Sequence, residues 1–140
     1  PGIGYDIITN HPCFNGGVIG RAGGWDFSVF SGSVEGLEGG VVLSVGSAIM
    51  APQVFEKSLS CVNNVRLQSG LPALSGHSIF VVDLQDGGGW DWAEGEPPKS
   101  NAAYYLRFCK SFSRMGAPMH YLQCDNLAFI QHLWSALSHG

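Results

Sequence analysis

Charge is scarce in this sequence. Of 140 residues only seven are Lys or Arg and eleven are Asp or Glu. Together they make 13%, about half the share of an average soluble domain. The basic residues form no run or stripe; Arg21, Lys57, Arg66, Lys99 and Lys110 stand singly. Binding a nucleic acid requires a row of cations to neutralise phosphates, so no nucleic-acid partner is expected. Long apolar runs are missing as well. Val41–Val45 and Ile79–Val82 are far too short to span a bilayer, and no signal-peptide leader is expected. A membrane role is therefore not expected. The four cysteines, Cys13, Cys61, Cys109 and Cys124, are too dispersed for a disulfide framework. Free thiols and a cytoplasmic setting follow as the expectation. A surface this poor in charge implies that part of it is covered, most simply in a homo-oligomer. The chain opens on Pro1 and a glycine turn without a first strand, which points to a partial unit completed by oligomerisation.

What is present is apolar and glycine-rich: 45% hydrophobic residues and 20 glycines. The length fits one domain spanning residues 1–140. Residues 6–17, DIITNHPCFNGG, read as a loop. Phe27, Phe30, Val34 and Leu37 then recur at helical spacing, although the glycines among them each cost up to about 1 kcal/mol against alanine. Gly40–Val45 is a continuous run suited to a strand buried on both faces. Pro52 fits a first helical turn, and Phe55, Leu59, Val62 and Arg66 follow on one stripe. Gly70 and Pro72 close that helix. A second strand is expected at Ser78–Leu84 and a third at Pro118–Gln123. Between them, Ser100 or Asn101 caps a helix whose apolar face is Tyr105, Phe108, Cys109 and Phe112. After the third strand, Asp125 or Asn126 caps a last helix, with Leu127, Ile130, Leu133, Trp134 and Leu137 expected to face inward. Strand and helix alternate, so the fold class is α/β: a mostly parallel sheet flanked by helices, Rossmann-like and three-layered.

In such a sheet, ligands bind beyond the carboxyl ends of the strands. Three ends are candidates. Gly46, Ser47 and Ala48 form a small-residue bend from strand to helix, where a phosphate or ribose can approach free N–H groups. It matches neither a Walker loop nor a complete G-x-G-x-x-G, and a tight packing turn has the same composition. The second end opens a sixteen-residue loop, Gln85–Ser100, too long for a plain connection. Asp83 precedes it; Asp86, Trp90, Asp91, Trp92, Glu94 and Glu96 lie in it. Carboxylates beside indoles suit an organic cation. They also suit Mg²⁺ or Ca²⁺, without EF-hand spacing, or simply an acidic surface loop pinned by its tryptophans. The third end is Cys124, Asp125 and Asn126. The early segment containing Gly4 and Asp6 can join this rim. His11-x-Cys13 and His120 with Cys124 are poorly spaced for one zinc ion, no signature marks a Cys–His nucleophile, and Lys99 sits in an exposed context.

Two stretches, GIGYDIITNHPCFNGGVIG and GGVVLSVGSAIMAPQVFEKSLSCVNNVR, resemble the C-terminal half of an uncharacterised bacterial family that is distantly similar to deoxyhypusine synthase. The likeness covers roughly residues 1–66. It implies a Rossmann-like fold, an NAD-type cofactor near the strand ends, oligomeric assembly, and an acidic, aromatic pocket for a polyamine. The lysine motif that carries the synthase's imine is absent, and family members are about twice this length, so no catalytic residue is carried over. The resulting expectation is a domain binding NAD or a small cationic ligand, with Gly46, Ser47, Ala48, Gly4 and Asp6 on the cofactor and Asp83, Asp86, Trp90, Asp91 and Asp125 on the substrate. The rival expectation is a non-catalytic domain that only assembles. A metal-dependent hydrolase using the acidic loop is the third.

Overall fold

A computed structural model describes residues 6–139. Asn15 caps the first helix, α1 (Gly16–Glu35), its side-chain oxygen accepting the Val18 N–H at 3.1 Å. Helix α1 thus begins inside the segment that the sequence marks as a loop, and a 3-10 turn occupies Asp6–Asn10. Of the expected stripe only Val34 is buried; Phe27 and Phe30 are about two-fifths exposed, and Leu37 lies past the helix end. Ser28 and Ser33 return their hydroxyls to the carbonyls of Gly24 and Val29.

The strand β1 (Val41–Val45) leads through Gly46 into helix α2 (Met50–Gln68), with Pro52 in its first turn. Phe55, Ser58, Leu59 and Val62 are buried on one stripe, as their spacing requires. The helix closes with paired bonds, Gly70 N–H to Leu67 C=O and Leu71 N–H to Arg66 C=O, around Gly70 at φ +75°. This geometry needs a left-handed residue, which glycine supplies without a Cβ clash. Arg66 donates to Pro72 C=O at 2.8 Å and pairs with Glu38 at 3.4 Å.

Strands β2 (Ser78–Asp83) and β3 (Met119–Gln123) complete a three-stranded parallel sheet in the order β1-β2-β3. The sequence places all three strands to within one residue at each end. β2 is central, and Ile79, Val81 and Val82 are almost wholly buried. β1 departs from the expectation of burial on both faces. It is an edge strand, and Val41 and Leu43 are 56% and 46% exposed. A continuous apolar run therefore marks a strand but not its place in the sheet. Within the β2–β3 connection, a 3-10 turn (Ala102–Tyr105) precedes α3 (Arg107–Ser113). Asn101 caps that turn rather than the helix. Phe108, Cys109 and Phe112 are buried; Tyr105, in the turn and not in the helix, is 71% exposed. The Phe108 ring lies 6.3 Å from that of Tyr121 on β3, so α3 covers the sheet face carrying Ile79, Val81 and Met119.

The last helix, α4 (Asn126–Ser138), is capped by Asp125, which accepts the Ala128 N–H at 2.9 Å. Of the stripe expected to face inward, only Leu133 is half-buried. Leu127, Ile130, Trp134 and Leu137 are 52–75% exposed, and no residue of α4 is buried. Spacing fixes which residues share a helix face; it does not supply an element to cover that face.

The chain divides into two compact units. One holds the chain through Glu38 together with Gln53–Leu74; the other holds Gly39–Pro52 and the chain from Ser75 onward. The sheet, α3 and α4 all belong to the second. No helix among the described residues is long and apolar enough to cross a membrane.

Candidate functional site

All three strand ends lie along one edge of the second unit. Val45, Val82 and Leu122 stand in register; Gly46 N–H donates to Val82 C=O at 3.1 Å, and Cys124 N–H to Asp83 C=O at 3.0 Å. The rim that the parallel alternation predicts is therefore present. Its shape differs from a dinucleotide crevice. Such a crevice opens where the strand order reverses, and the order β1-β2-β3 never reverses. Two surface hollows of about 700 and 280 Å³ lie elsewhere, one along α2 at Glu56, Lys57 and Cys61, the other at Ile8, His11 and Phe14.

At the first end the bend is built for packing. Gly46 has φ +70°, and a Cβ there would come within 2.5 Å of the Asn126 Nδ2. The space that glycine leaves is thus filled by a side chain of the third end. Ser47 Oγ accepts the Ala51 N–H at 3.1 Å, capping α2. Ala48 follows, half-buried. The Asn126 side-chain oxygen is enclosed and has no hydrogen-bond partner among the described residues.

Each predicted acid holds a local turn. Asp83 accepts the Gln85 N–H at 3.1 Å, Asp86 the Gly88 N–H at 2.8 Å and Asp91 the Ala93 N–H at 2.9 Å, all two residues on. Asp125 caps α4. These carboxylates order the loop whose charge they carry. The loop is then stitched down. Tyr121 donates its hydroxyl to Gln85 C=O at 2.6 Å, Gln123 accepts the Gly87 N–H at 3.4 Å, and Asn101 donates to Gly88 C=O at 3.2 Å. Gly87 presses on the Tyr121 ring, where a Cβ would come within 2.6 Å. Trp90, half-buried, donates its indole N–H to Gly95 C=O at 3.0 Å, while Trp92, the buried first residue of the loop's 3-10 turn (Trp92–Glu94), has no partner for its own N–H among the described residues. The residues that sequence reasoning missed here are Tyr121 and Gln123. Their alternation along β3 marks them only as strand residues.

No family model, curated protein or solved structure matches this chain. The likeness to deoxyhypusine synthase rests on the two quoted segments alone. Of the residues assigned to the cofactor, Gly4 and the side chain of Asp6 lie outside the described residues. Gly46, Ser47, Ala48, Asp83, Asp86, Trp90, Asp91 and Asp125 all fall on the strand-end rim or the loop it opens.

Burial, with Asp83 nearby, pushes the Cys109 thiol up to about 12, which keeps it protonated. The same causes in the same order push Tyr121 up to about 12, with smaller contributions from Cys109 and Asp86. His120 is exposed on the sheet face opposite α3, stacked on Phe80 at 4.9 Å. His11 accepts the Cys13 N–H. Among the described residues no three His, Cys, Asp or Glu gather to hold a metal ion. The cation–π contact found among the described residues involves no tryptophan. Lys110 sits 3.8 Å over the Tyr104 ring and reaches Glu96, which also pairs with Arg114 at 2.7 Å. The Arg114 hydrogen bond, aided by Lys110, holds the Glu96 carboxyl below its usual range.

Proposed function

We propose that this chain is an assembly domain whose apolar outer surface is buried by copies of itself. The observation that carries this reading is the exposed stripe of α4. Trp134 and Leu137 are 73% and 75% exposed on a 13-residue helix. A helix so short is marginal in water without tertiary packing. Its apolar stripe therefore gains its free energy only when covered, at about 25 cal/mol per Å² removed from water. Trp25, at 74% exposure, and the sheet-face residues Val41 and Leu43 extend the same imbalance. The low charge content is consistent with it, since assembling surfaces are depleted in charge at their centres. Light scattering on the purified chain tests this: a mass that is a multiple of 14.9 kDa at micromolar concentration is expected. A mass of one chain throughout would overturn the reading.

A second reading keeps the rim as a binding site for NAD or a cationic ligand, with the reaction unassigned. It is favoured by the unmatched oxygen of Asn126 beside Gly46, and by Asp83, Asp86 and Asp91, each of which commits one oxygen to a backbone N–H. Thermal-shift measurement with NAD, NADH and spermidine at millimolar concentration tests it. An Asp86→Asn variant keeps the turn, because asparagine accepts the same N–H, and removes the charge. Stabilisation by spermidine that Asp86→Asn abolishes supports a cation site; no shift with any of the three ligands ends this reading.

A further inference from the structure

We infer that the assembly proceeds by β1 pairing with β1 of a second copy, antiparallel, to give one continuous six-stranded sheet. This rests on the self-assembly reading and specifies its geometry. The inference begins with the direction of backbone groups. Gly40 C=O accepts from Ser78 and Gly46 N–H donates to Val82, so the even-numbered residues of this stretch turn toward β2. In a strand, alternate residues turn their N–H and C=O to opposite sides. Val41, Leu43 and Val45 therefore direct both groups away from β2, and among the described residues no strand pairs with that edge.

Such an edge is a template for strand addition unless it is blunted by charge, proline or a bulge. Within the strand none of these is present. The stretch Gly39–Gly46, GGVVLSVG, has no charged residue and no proline, and β1 pairs with β2 in unbroken register. The pattern is also self-complementary. With a two-fold axis at Leu43, that residue lies opposite its own copy and Val41 lies opposite Val45. All three have outward-facing groups, so each opposed pair exchanges both hydrogen bonds. Isologous contacts of this kind close at two copies. Opposed residues share a sheet face, so the row Leu43, Phe80 and His120 continues into the same row of the copy.

The edge also carries apolar surface to cover: Val41 and Leu43, on the edge strand itself, are 56% and 46% exposed, and pairing removes part of that surface from water.

Leu43→Pro is the discriminating variant. It removes an N–H that points away from β2, and proline is tolerated on an edge strand. The wild-type chain is expected to sediment as a dimer, and Leu43→Pro to weaken association about a hundredfold or more while keeping the far-ultraviolet circular dichroism. A dimer unmoved by Leu43→Pro overturns the edge pairing and leaves self-assembly standing. A monomeric wild type overturns both. If Leu43→Pro does not fold, Leu43→Cys in a Cys13→Ser, Cys61→Ser background decides. Opposed hydrogen-bonded residues lie about 5.5 Å apart, within disulfide reach, so mild oxidation should link two chains through residue 43. Absence of that link overturns the proposal.

Discussion

Replacing Gly46 with alanine tests whether the bend after β1 is a packing device. Two costs are expected. At φ +70° an L side chain loses roughly 1–2 kcal/mol. The new methyl also lands 2.5 Å from Asn126 Nδ2 and 3.2 Å from its Cγ, and overpacking of this kind typically adds about 1–3 kcal/mol. Asn126 has little room to retreat, being the first residue of α4 with its oxygen already enclosed. Gly46→Ala should therefore destabilise by about 2–5 kcal/mol. Asn126→Ala removes the obstacle and a buried unmatched oxygen, so on its own it should change little. In the double variant only the backbone cost survives. Urea unfolding followed by tryptophan fluorescence gives the four stabilities of the cycle, and a coupling of about 1–3 kcal/mol is expected. Additivity to within about 0.5 kcal/mol would mean that the glycine does not serve Asn126, and the packing account of the bend would fail.

Tyr121→Phe removes the 2.6 Å bond to Gln85 C=O and should cost about 1 kcal/mol, with faster hydrogen exchange confined to the loop at Gln85–Asp91; unchanged exchange there would refute its role as the loop's anchor. Cys109 and Tyr121 hold their protons more tightly when folded, at about 12 against ordinary values of 9.0 and 10.0. Their contribution is complete below pH about 9 and is lost as pH rises toward 12, so unfolding free energy should fall over that window, with Tyr121→Phe flattening only the part above about 10. Thiol labelling of the native chain should modify Cys13 and Cys61 first and Cys109 only with unfolding; early labelling of Cys109, read by mass spectrometry, would contradict its burial.

The parts of the structure legible in the sequence are those set by local chemistry. Ile79 to Val82 form a strand because β-branched residues stand in a nearly unbroken apolar run, and Phe55, Leu59 and Val62 share a buried stripe because of helical spacing. Asp125 caps α4 and Pro52 starts α2 for equally local reasons. The acidic loop carried a readable signal that composition hid. Asp83, Asp86 and Asp91 each accept from the residue two positions on. Aspartate with this reach is a turn former before it is a ligand. The illegible parts depend on what lies opposite. Leu43 and Val81 are both apolar strand residues, yet one is 46% exposed and the other 1%. The difference is sheet position, which no single strand encodes.

The strand order makes β1 the residue run on which the two functional readings compete. A dinucleotide crevice in this kind of sheet needs a reversal of order, and with β1-β2-β3 in one direction the reversal can arise only from a parallel strand added beside β1. That strand would place its carboxyl end next to Gly46 and Ser47 and open a switch-point crevice there. An antiparallel copy of β1 does the opposite. It places the amino end of the neighbouring strand at Gly46 and uses the same outward groups of Val41, Leu43 and Val45. One edge cannot hold both neighbours. Strong association through Leu43 therefore counts against a switch-point cofactor site at Gly46, whereas a monomer whose stability rises with NAD would require some other strand to occupy that edge.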